Sequence, residues 1–331
     1  MKTKNILVVG GAGYIGSHTV KMLAASGYQP IVVDSLVSGY KEAVAKYPFY
    51  QIDMHDTQKI GEVLQKHEIE AVVHFAAFIE VGESQIDPQK YYENNVMGTL
   101  SLLKAMRQNQ VDKIVFSSTA ATYGEPVYTP IDEKHPTLPI NTYGKTKLVV
   151  EGILADYARS YGLNYIALRY FNASGADFAA DIGESHKPET HLVPIILQSV
   201  LGLRSFKVFG DDYKTKDGTC VRDYIHVLDL ASAHIKALEK FAGNKQVAES
   251  INLGNQKGYS ILEVIKMVEK VTGKKVVYEL AARRPGDPAV LIASSEKAKK
   301  FLGWSPQYDL QDIMASAWKW HQRKPYGFNS T

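Results

Sequence analysis

Tyr143-Gly144-Lys145-Thr146-Lys147 places a phenol and an ammonium four positions apart. On a helix the two side chains share a face, one turn from each other. A tyrosine ordinarily titrates near 10, too high for a base at neutral pH. Positive charge beside it, from the lysine or from a cationic ring, favours the phenolate. Bringing the phenol to about 7 takes roughly 4 kcal/mol of differential stabilisation. The spacing alone describes a solvated helix face equally well. Thr119 adds weight. It closes the run Ile114-Val115-Phe116-Ser117-Ser118-Thr119, 24 residues before Tyr143. A hydroxyl is thereby offered at the carboxyl end of a strand, where α/β sheets bind ligands. The plainer role of such a residue is to cap the next turn.

A second constellation sits near the start of the chain. Gly11-Ala12-Gly13-Tyr14-Ile15-Gly16 follows an apolar run, and Gly10, Gly13 and Gly16 give a second spacing. Glycines let the chain turn tightly and approach a pyrophosphate seated on a helix N-terminus. Asp34 lies 18 residues beyond Gly16, close to the position of a carboxylate that binds a ribose 2′-hydroxyl. No arginine follows it closely to hold a 2′-phosphate, so NAD is favoured over NADP. No HExxH occurs, and His186 and His191 flank a loop in which no carboxylate cluster of ligand spacing is evident, so no metal is expected.

These groups need a scaffold. Ile6 to Val9, Ile31 to Val33 (ending at Asp34), Ala71 to Phe75 and Ile114 to Phe116 read as strands. Helices are expected over Ser17 to Ala25 and Val96 to Met106. Near-continuous apolar strands alternating with helices imply a doubly wound parallel sheet, a Rossmann fold, with ligands at its carboxyl edge. The stretch Ala173 to Glu189 reads as a long functional loop and marks the boundary between a first domain, 1–175, and a smaller α/β domain, 176–331. Some later segments return to the first. Further helices are expected over Ile261 to Val271 and near Ile313 to Gln322, with a rigid charged loop from Arg283 to Pro288.

The 331 residues give a prior of about two domains. Lys+Arg 38 against Asp+Glu 35 leaves +3 with no dense basic run, which argues against nucleic acid. No 18-residue apolar window suggests a membrane span, and Lys2 to Val9 lacks a secretion cleavage site. The one cysteine, Cys220, precludes an intrachain disulfide and favours a reducing, cytoplasmic setting. A free structural thiol is its plainest role.

Taken together, the chain resembles the extended short-chain dehydrogenase/reductase family and, within it, the nucleotide-sugar 4-epimerases. The resemblance runs from about Lys4 to Gly327. It is carried by Gly10 to His18, His74-Phe75-Ala76-Ala77, Val81 to Ser84, Tyr92 to Val96, Leu168 to Asn172, Gly218 to His226 and Arg283 to Pro288. It implies that 1–175 binds NAD and 176–331 a UDP-sugar. It implies Tyr143 as base, with Thr119 and Lys147 as catalytic partners. NAD contacts would fall on Tyr14, Ile15, Asp34, Ser35, Leu36, Ser38, Gly39, Asp53, Met54, Phe75, Ala76, Ala77, Asn94, Thr119, Tyr143, Lys147 and Phe171. Sugar-nucleotide contacts would fall on Thr119, Tyr143, Asn172, His191, Leu192, Phe209, Arg222, Arg284, Asp287 and Leu291. The implied reaction interconverts UDP-glucose and UDP-galactose through a 4-keto sugar, with tightly bound NAD, in galactose metabolism. A homodimer is implied as well.

Arg222 and Arg284 suit the diphosphate of such a substrate, since guanidinium forks match phosphate oxygens. Each alone would read as a surface ion-pair partner. The sequence departs from the family pattern at Ile79 and His191, where some members have lysine and asparagine. It departs again at Leu291, where some have a tyrosine beside the sugar; acetamido sugars gain room there. Three rivals remain. A 4,6-dehydratase would carry Asp-Glu after the threonine, where this chain has Ala120-Ala121, which offer no acid or base. A glucuronate epimerase needs one further cationic contact. A dead NAD-binding protein would be expected to lack Tyr143 or Lys147.

Overall fold

A computed structural model describes residues 4–243, 245–283 and 287–328. Arg284 lies outside the described residues. In the first half, β1 (Asn5–Val9), β2 (Gln29–Asp34), β3 (Phe49–Gln51), β4 (Ala71–His74), β5 (Lys113–Thr119) and β6 (Asn164–Tyr170) follow in chain order. Then come β7 (Asn172–Ser174), β8 (Lys207–Phe209), β9 (Val221–His226) and β10 (Ala248–Leu253), and finally β11 (Gly258–Ser260), β12 (Glu279–Ala281) and β13 (Val290–Leu291).

Among the described residues one parallel sheet of seven strands has the order β10-β6-β5-β4-β1-β2-β3. The order reverses between β1 and β4, the place where doubly wound sheets open a ligand crevice. The fold is Rossmann-like, as the alternation of apolar runs and helices implies. Both faces of the sheet are covered, which is why its strands are apolar without alternation. Ile6 and Val8 pack with Val20 and Leu23 of helix Tyr14–Ala25 and with Leu230 of helix Val227–Lys240. Leu7 and Val9 face the other way, toward Ile60, Leu102, Val150 and Leu154 of the helices Thr57–Lys66, Gly98–Gln108 and Thr142–Tyr161.

Several elements differ from expectation in their bounds. The first helix begins at Tyr14, three residues before Ser17, because its opening turn is made of the glycine motif itself, with Ser17 N–H donating to the Gly13 carbonyl. The helix expected from Val96 starts at Gly98, after a wide π-helical turn over Tyr92–Met97. The segment expected to be loop from Ala173 begins inside β7.

The chain leaves the large sheet at Tyr170 and enters a second one at Asn172. There β9 pairs with β7 and β13 in parallel and with β11 in antiparallel. β8 and β12 form a separate parallel pair. The helices Leu192–Val200, Ile261–Thr272 and Leu310–Arg323 close this half around Ile196, Val264, Val268, Ile313 and Met314. Of the later segments, β10 and helix Val227–Lys240 belong to the large sheet and its packing.

Candidate active site

Helix Thr142–Tyr161 delivers Tyr143 and Lys147 to the end of β5. Its start is fixed by Asn141, whose side chain accepts from Gly144 N–H at 2.8 Å, and by Ser84, whose hydroxyl accepts from Tyr143 N–H at 3.1 Å. Gly144 is required by packing: a Cβ there would lie 2.4 Å from the Ala121 carbonyl oxygen. This contact brings the helix against the turn after Thr119. Neither Ser84 nor Gly144 stands out in the sequence as a site residue, although Gly144 lies inside the motif.

Thr119 is the last residue of β5 and is buried. Its hydroxyl caps the next turn, accepting from Ala121 N–H at 3.1 Å, and it also hydrogen-bonds Tyr143. The cap and the site contact coexist. Burial pushes the Tyr143 phenol up to about 12, against a downward pull from Thr119. The Lys147 ammonium donates to the Ser117 carbonyl at 2.7 Å and lies 4.8 Å over the Phe116 ring. Burial lowers it to about 7. Burial thus sets the phenol above its ordinary value in the protein by itself.

At the glycine motif the backbone forms a cradle with no room for side chains. A Cβ at Gly10, which has φ +77°, would lie 2.4 Å from Ala76 N, and one at Gly16 would lie 2.3 Å from the Gly10 oxygen. Gly13 is less constrained, its nearest neighbour being 3.4 Å away. The buried Asp34 carboxylate accepts from Ala12 N–H at 2.9 Å and Leu36 N–H at 2.8 Å. Burial raises its pKa while those N–H groups oppose the rise. Gly39 packs 2.9 Å from that carboxylate, measured to its would-be Cβ. Ser35 and Ser38 lie on the same turn, Ser38 exposed.

Phe75, Ala76 and Ala77 follow β4 and are half-buried beside the cradle, with Tyr14 and Ile15 opening the helix. The Tyr14 hydroxyl is committed elsewhere, donating to the Gly175 carbonyl at 2.6 Å. Asp53 accepts from the His55 backbone and ring; burial pushes it up, yet those bonds leave it below its ordinary value. Met54 is buried against Gly98. Asn94 donates to Asn95, which in turn joins Phe78 to Thr146 of the catalytic helix.

In the smaller half, Phe171 and Asn172 mark the passage between sheets, and the Asn172 amide donates to the Asp223 carbonyl at 3.0 Å. Phe209 ends β8, and Leu192 opens a helix whose N-cap is His191. Arg222 donates to Asp287 and, at 2.8 Å, to the Val221 carbonyl. Two of its five N–H donors are thus held in place. Leu291 stands beside Arg222 in register; it is half-buried and joins none of the described core clusters. Ile79 is half-buried just before the short helix Val81–Ile86.

The absence of a carboxylate cluster around His186 and His191 is overturned. Glu184, His186, Glu189 and His191 bring one ligand atom each within 4.8 Å of one another. His191 pairs with Glu184, and Glu189 accepts from Thr190 N–H at 2.9 Å and His191 N–H at 3.0 Å. Burial opposes protonation of His191, but Glu184 raises it to about 9. The donor oxygens are thus already engaged by imidazole and backbone. The spacing Glu-x-His-x-x-Glu-x-His was the available signal.

The chain matches, over residues 7–317, the family described as GDP-mannose 4,6 dehydratase. It is 53% identical to the UDP-glucose 4-epimerase of Halalkalibacterium halodurans over 98% of both chains. Among solved structures it is similar to the UDP-glucose 4-epimerase of Brucella ovis in complex with NAD, with 49% identity, a TM-score of 0.93, and 96% and 98% of the two chains covered. The UDP-Glc/GlcNAc 4-epimerase of Campylobacter jejuni follows at 40% identity and a TM-score of 0.84, covering 97% of this chain and 99% of that one.

Proposed function

Because the chain belongs to the UDP-glucose 4-epimerase family, we propose that it interconverts UDP-glucose and UDP-galactose with tightly bound NAD. The observation that carries the reading is the meeting of Thr119, Tyr143 and Lys147 at the end of β5. The cradle at Gly10 and Gly16, where added Cβ atoms would strike backbone, fits the close approach of a pyrophosphate. Tyr14, Ile15, Asp34, the turn 35–39, Asp53, Met54, Phe75, Ala76, Ala77, Asn94, Lys147 and Phe171 would hold the dinucleotide. When bound, NAD supplies a reversible hydride acceptor for C4 of the sugar.

Tyr143, as phenolate, takes the proton of the 4-hydroxyl as the 4-keto sugar forms, and returns it to the epimer. Thr119 hydrogen-bonds the reacting oxygen and stabilises the phenolate. Lys147 supplies positive charge to the phenolate and to the ribose. Asn172, His191, Leu192, Phe209, Arg222, Arg284 and Asp287 would grip the UDP moiety while the sugar turns over about its diphosphate link. In this reading 1–175, with some later segments returning to it, carries the cofactor site and the reacting groups, and 176–331 carries most of the UDP-sugar contacts. A dehydratase reading gains no support from Ala120 and Ala121, which carry no acid or base.

A wider substrate range is favoured by one observation. Leu291 stands outside the core clusters and beside Arg222, so an acetamido sugar meets neither a tyrosine ring nor its hydroxyl. The reading includes UDP-GlcNAc and UDP-GalNAc as slower substrates. It includes a homodimer too, for which exposed Met97, Leu100 and Val149 on neighbouring helices provide apolar surface. A cytoplasmic setting agrees with the single cysteine. No helix among the described residues is long and apolar enough to cross a membrane.

The test is purified protein with UDP-galactose alone in D2O. UDP-glucose should appear without added NAD and without deuterium at C4. Deuterium at C4 would indicate proton abstraction instead, and no product would remove the assignment.

A further inference from the structure

Tyr143, Lys147 and Glu151 recur every four residues on one face of helix Thr142–Tyr161, and each engages the end of β5. The Thr119 hydroxyl bonds Tyr143, the Ser117 carbonyl accepts from Lys147 at 2.7 Å, and Ser118 Oγ donates to Glu151 Oε1 at 2.5 Å. Three successive strand residues thus meet three successive turns of one helix. The first two contacts involve the reacting groups of the proposed function. The third is the further one.

Glu151 is buried, a costly place for an acid unless it is paired and fully hydrogen-bonded. Arg169 Nε reaches its two oxygens at 2.9 and 3.1 Å, Arg169 Nη2 donates at 2.5 Å, and Ser250 Oγ donates at 3.0 Å. These donors, with Ser118, come from β5, β6 and β10. The carboxylate therefore clamps the catalytic helix to three strands at once. The Tyr123 hydroxyl accepts from Arg169 Nη1 at 2.9 Å and completes the network from the other side.

One turn away, Lys147 is almost fully buried. The groups around it are His74 from β4, the Phe116 ring and Ser117 carbonyl from β5, and Glu151 from its own helix, with Tyr143 one turn before it in the chain. Burial and Lys147 itself keep His74 neutral, lowering it to about 3. Glu80, farther out, acts on Tyr143. Burial drives Lys147 toward the neutral amine, and the opposing pull comes from Glu151.

We infer that Glu151 is a positioning residue for epimerisation: anchored by Arg169 and Ser118, it provides the counter-charge of Lys147 and holds the Tyr143 face in register with Thr119. The inference rests on the roles proposed above for Tyr143 and Lys147.

The experiment is the pH profile of kcat/KM for UDP-galactose conversion by Glu151→Gln. Activity that requires an ammonium is lost as pH rises through its pKa. Removing the nearby anion lowers that pKa, so the alkaline limb should move about one unit toward lower pH. KM should stay within about twofold while kcat falls about tenfold on that limb. Glu151→Asp should restore the limb. A purely structural role would lower kcat evenly across pH and leave the limb unmoved, which overturns the inference. If Glu151→Gln fails to fold because Arg169 is left unpaired, the double variant Glu151→Gln/Arg169→Met removes both charges and should show the limb displaced in the same direction but by less. If that also fails, Ser118→Ala keeps the ion pair but cuts its tie to β5; unchanged kcat there overturns the positioning role. Full activity of Tyr143→Phe would instead overturn the proposed function, a distinct result.

Discussion

At the carboxyl end of β1 the proposed dinucleotide cradle is made of backbone. Gly10 and Gly16 leave less than the space of a methyl group, and the Asp34 carboxylate serves the adjoining turns through Ala12 and Leu36 N–H groups. In the smaller half the proposed grip on a diphosphate falls to side chains. Arg222 is held by Asp287 across a separation of 65 residues, and His191 by Glu184. The difference teaches how each half fails. A backbone cradle tolerates no atom at its centre, so damage there is all or none. A side-chain clamp loses one charge or one contact at a time, so damage there is graded.

The largest effect should come from the cradle. Gly16→Ala pushes a methyl onto the Gly10 carbonyl, and the protein should purify without NAD, with turnover down by more than about 10⁴ because the cofactor carries the difficult chemistry. Absorbance of released dinucleotide and the epimerase assay check this. Retained NAD would break the all-or-none description.

Next, Tyr143→Phe removes the proposed base and its bond to Thr119 but keeps the ring. It should cost about 10²–10⁴ in kcat with NAD content and melting temperature unchanged. Near-normal turnover would remove Tyr143 from its role.

On the clamp side, Arg222→Lys keeps a charge but loses the planar fork held between Val221 and Asp287. KM for UDP-galactose should rise roughly 10–100-fold, the worth of a charge-assisted hydrogen bond, with kcat changed only a few-fold. An equal loss in kcat would mean that the clamp also orients the reacting carbon.

The narrowest effect, confined to one substrate, is expected at Leu291. Leu291→Tyr should reduce kcat/KM on UDP-N-acetylglucosamine by about 1–3 kcal/mol while sparing UDP-galactose. Equal losses on both substrates, or no acetamido activity in the wild type, would show that Leu291 does not set the range.

The cradle was legible in the sequence because its requirement is local. Only glycine adopts the Gly10 conformation without strain, and that demand appears as a residue type at a fixed spacing after an apolar run. The doubly wound sheet was legible for a similar reason, since burial on both faces makes strands apolar throughout. β6 and β10 were harder to see. Arg169 and Asn252 interrupt their apolar character, and both are buried, with Arg169 paired to Glu151 and Asn252 bonded to Tyr123. Such partners lie far along the chain and leave no periodic trace.

The sequence by itself determined which groups are present and which face of a helix they share: the glycine spacing, Asp34, Thr119, and the four-residue interval from Tyr143 to Lys147. Tertiary structure decided what those groups are. It placed Gly144 against Ala121, gathered Glu184, His186, Glu189 and His191 into one cluster, and moved Tyr143 up to about 12 and Lys147 down to about 7. The reason is physical: residue type and spacing act along the chain, whereas desolvation and pairing sum over every element that packs against a group.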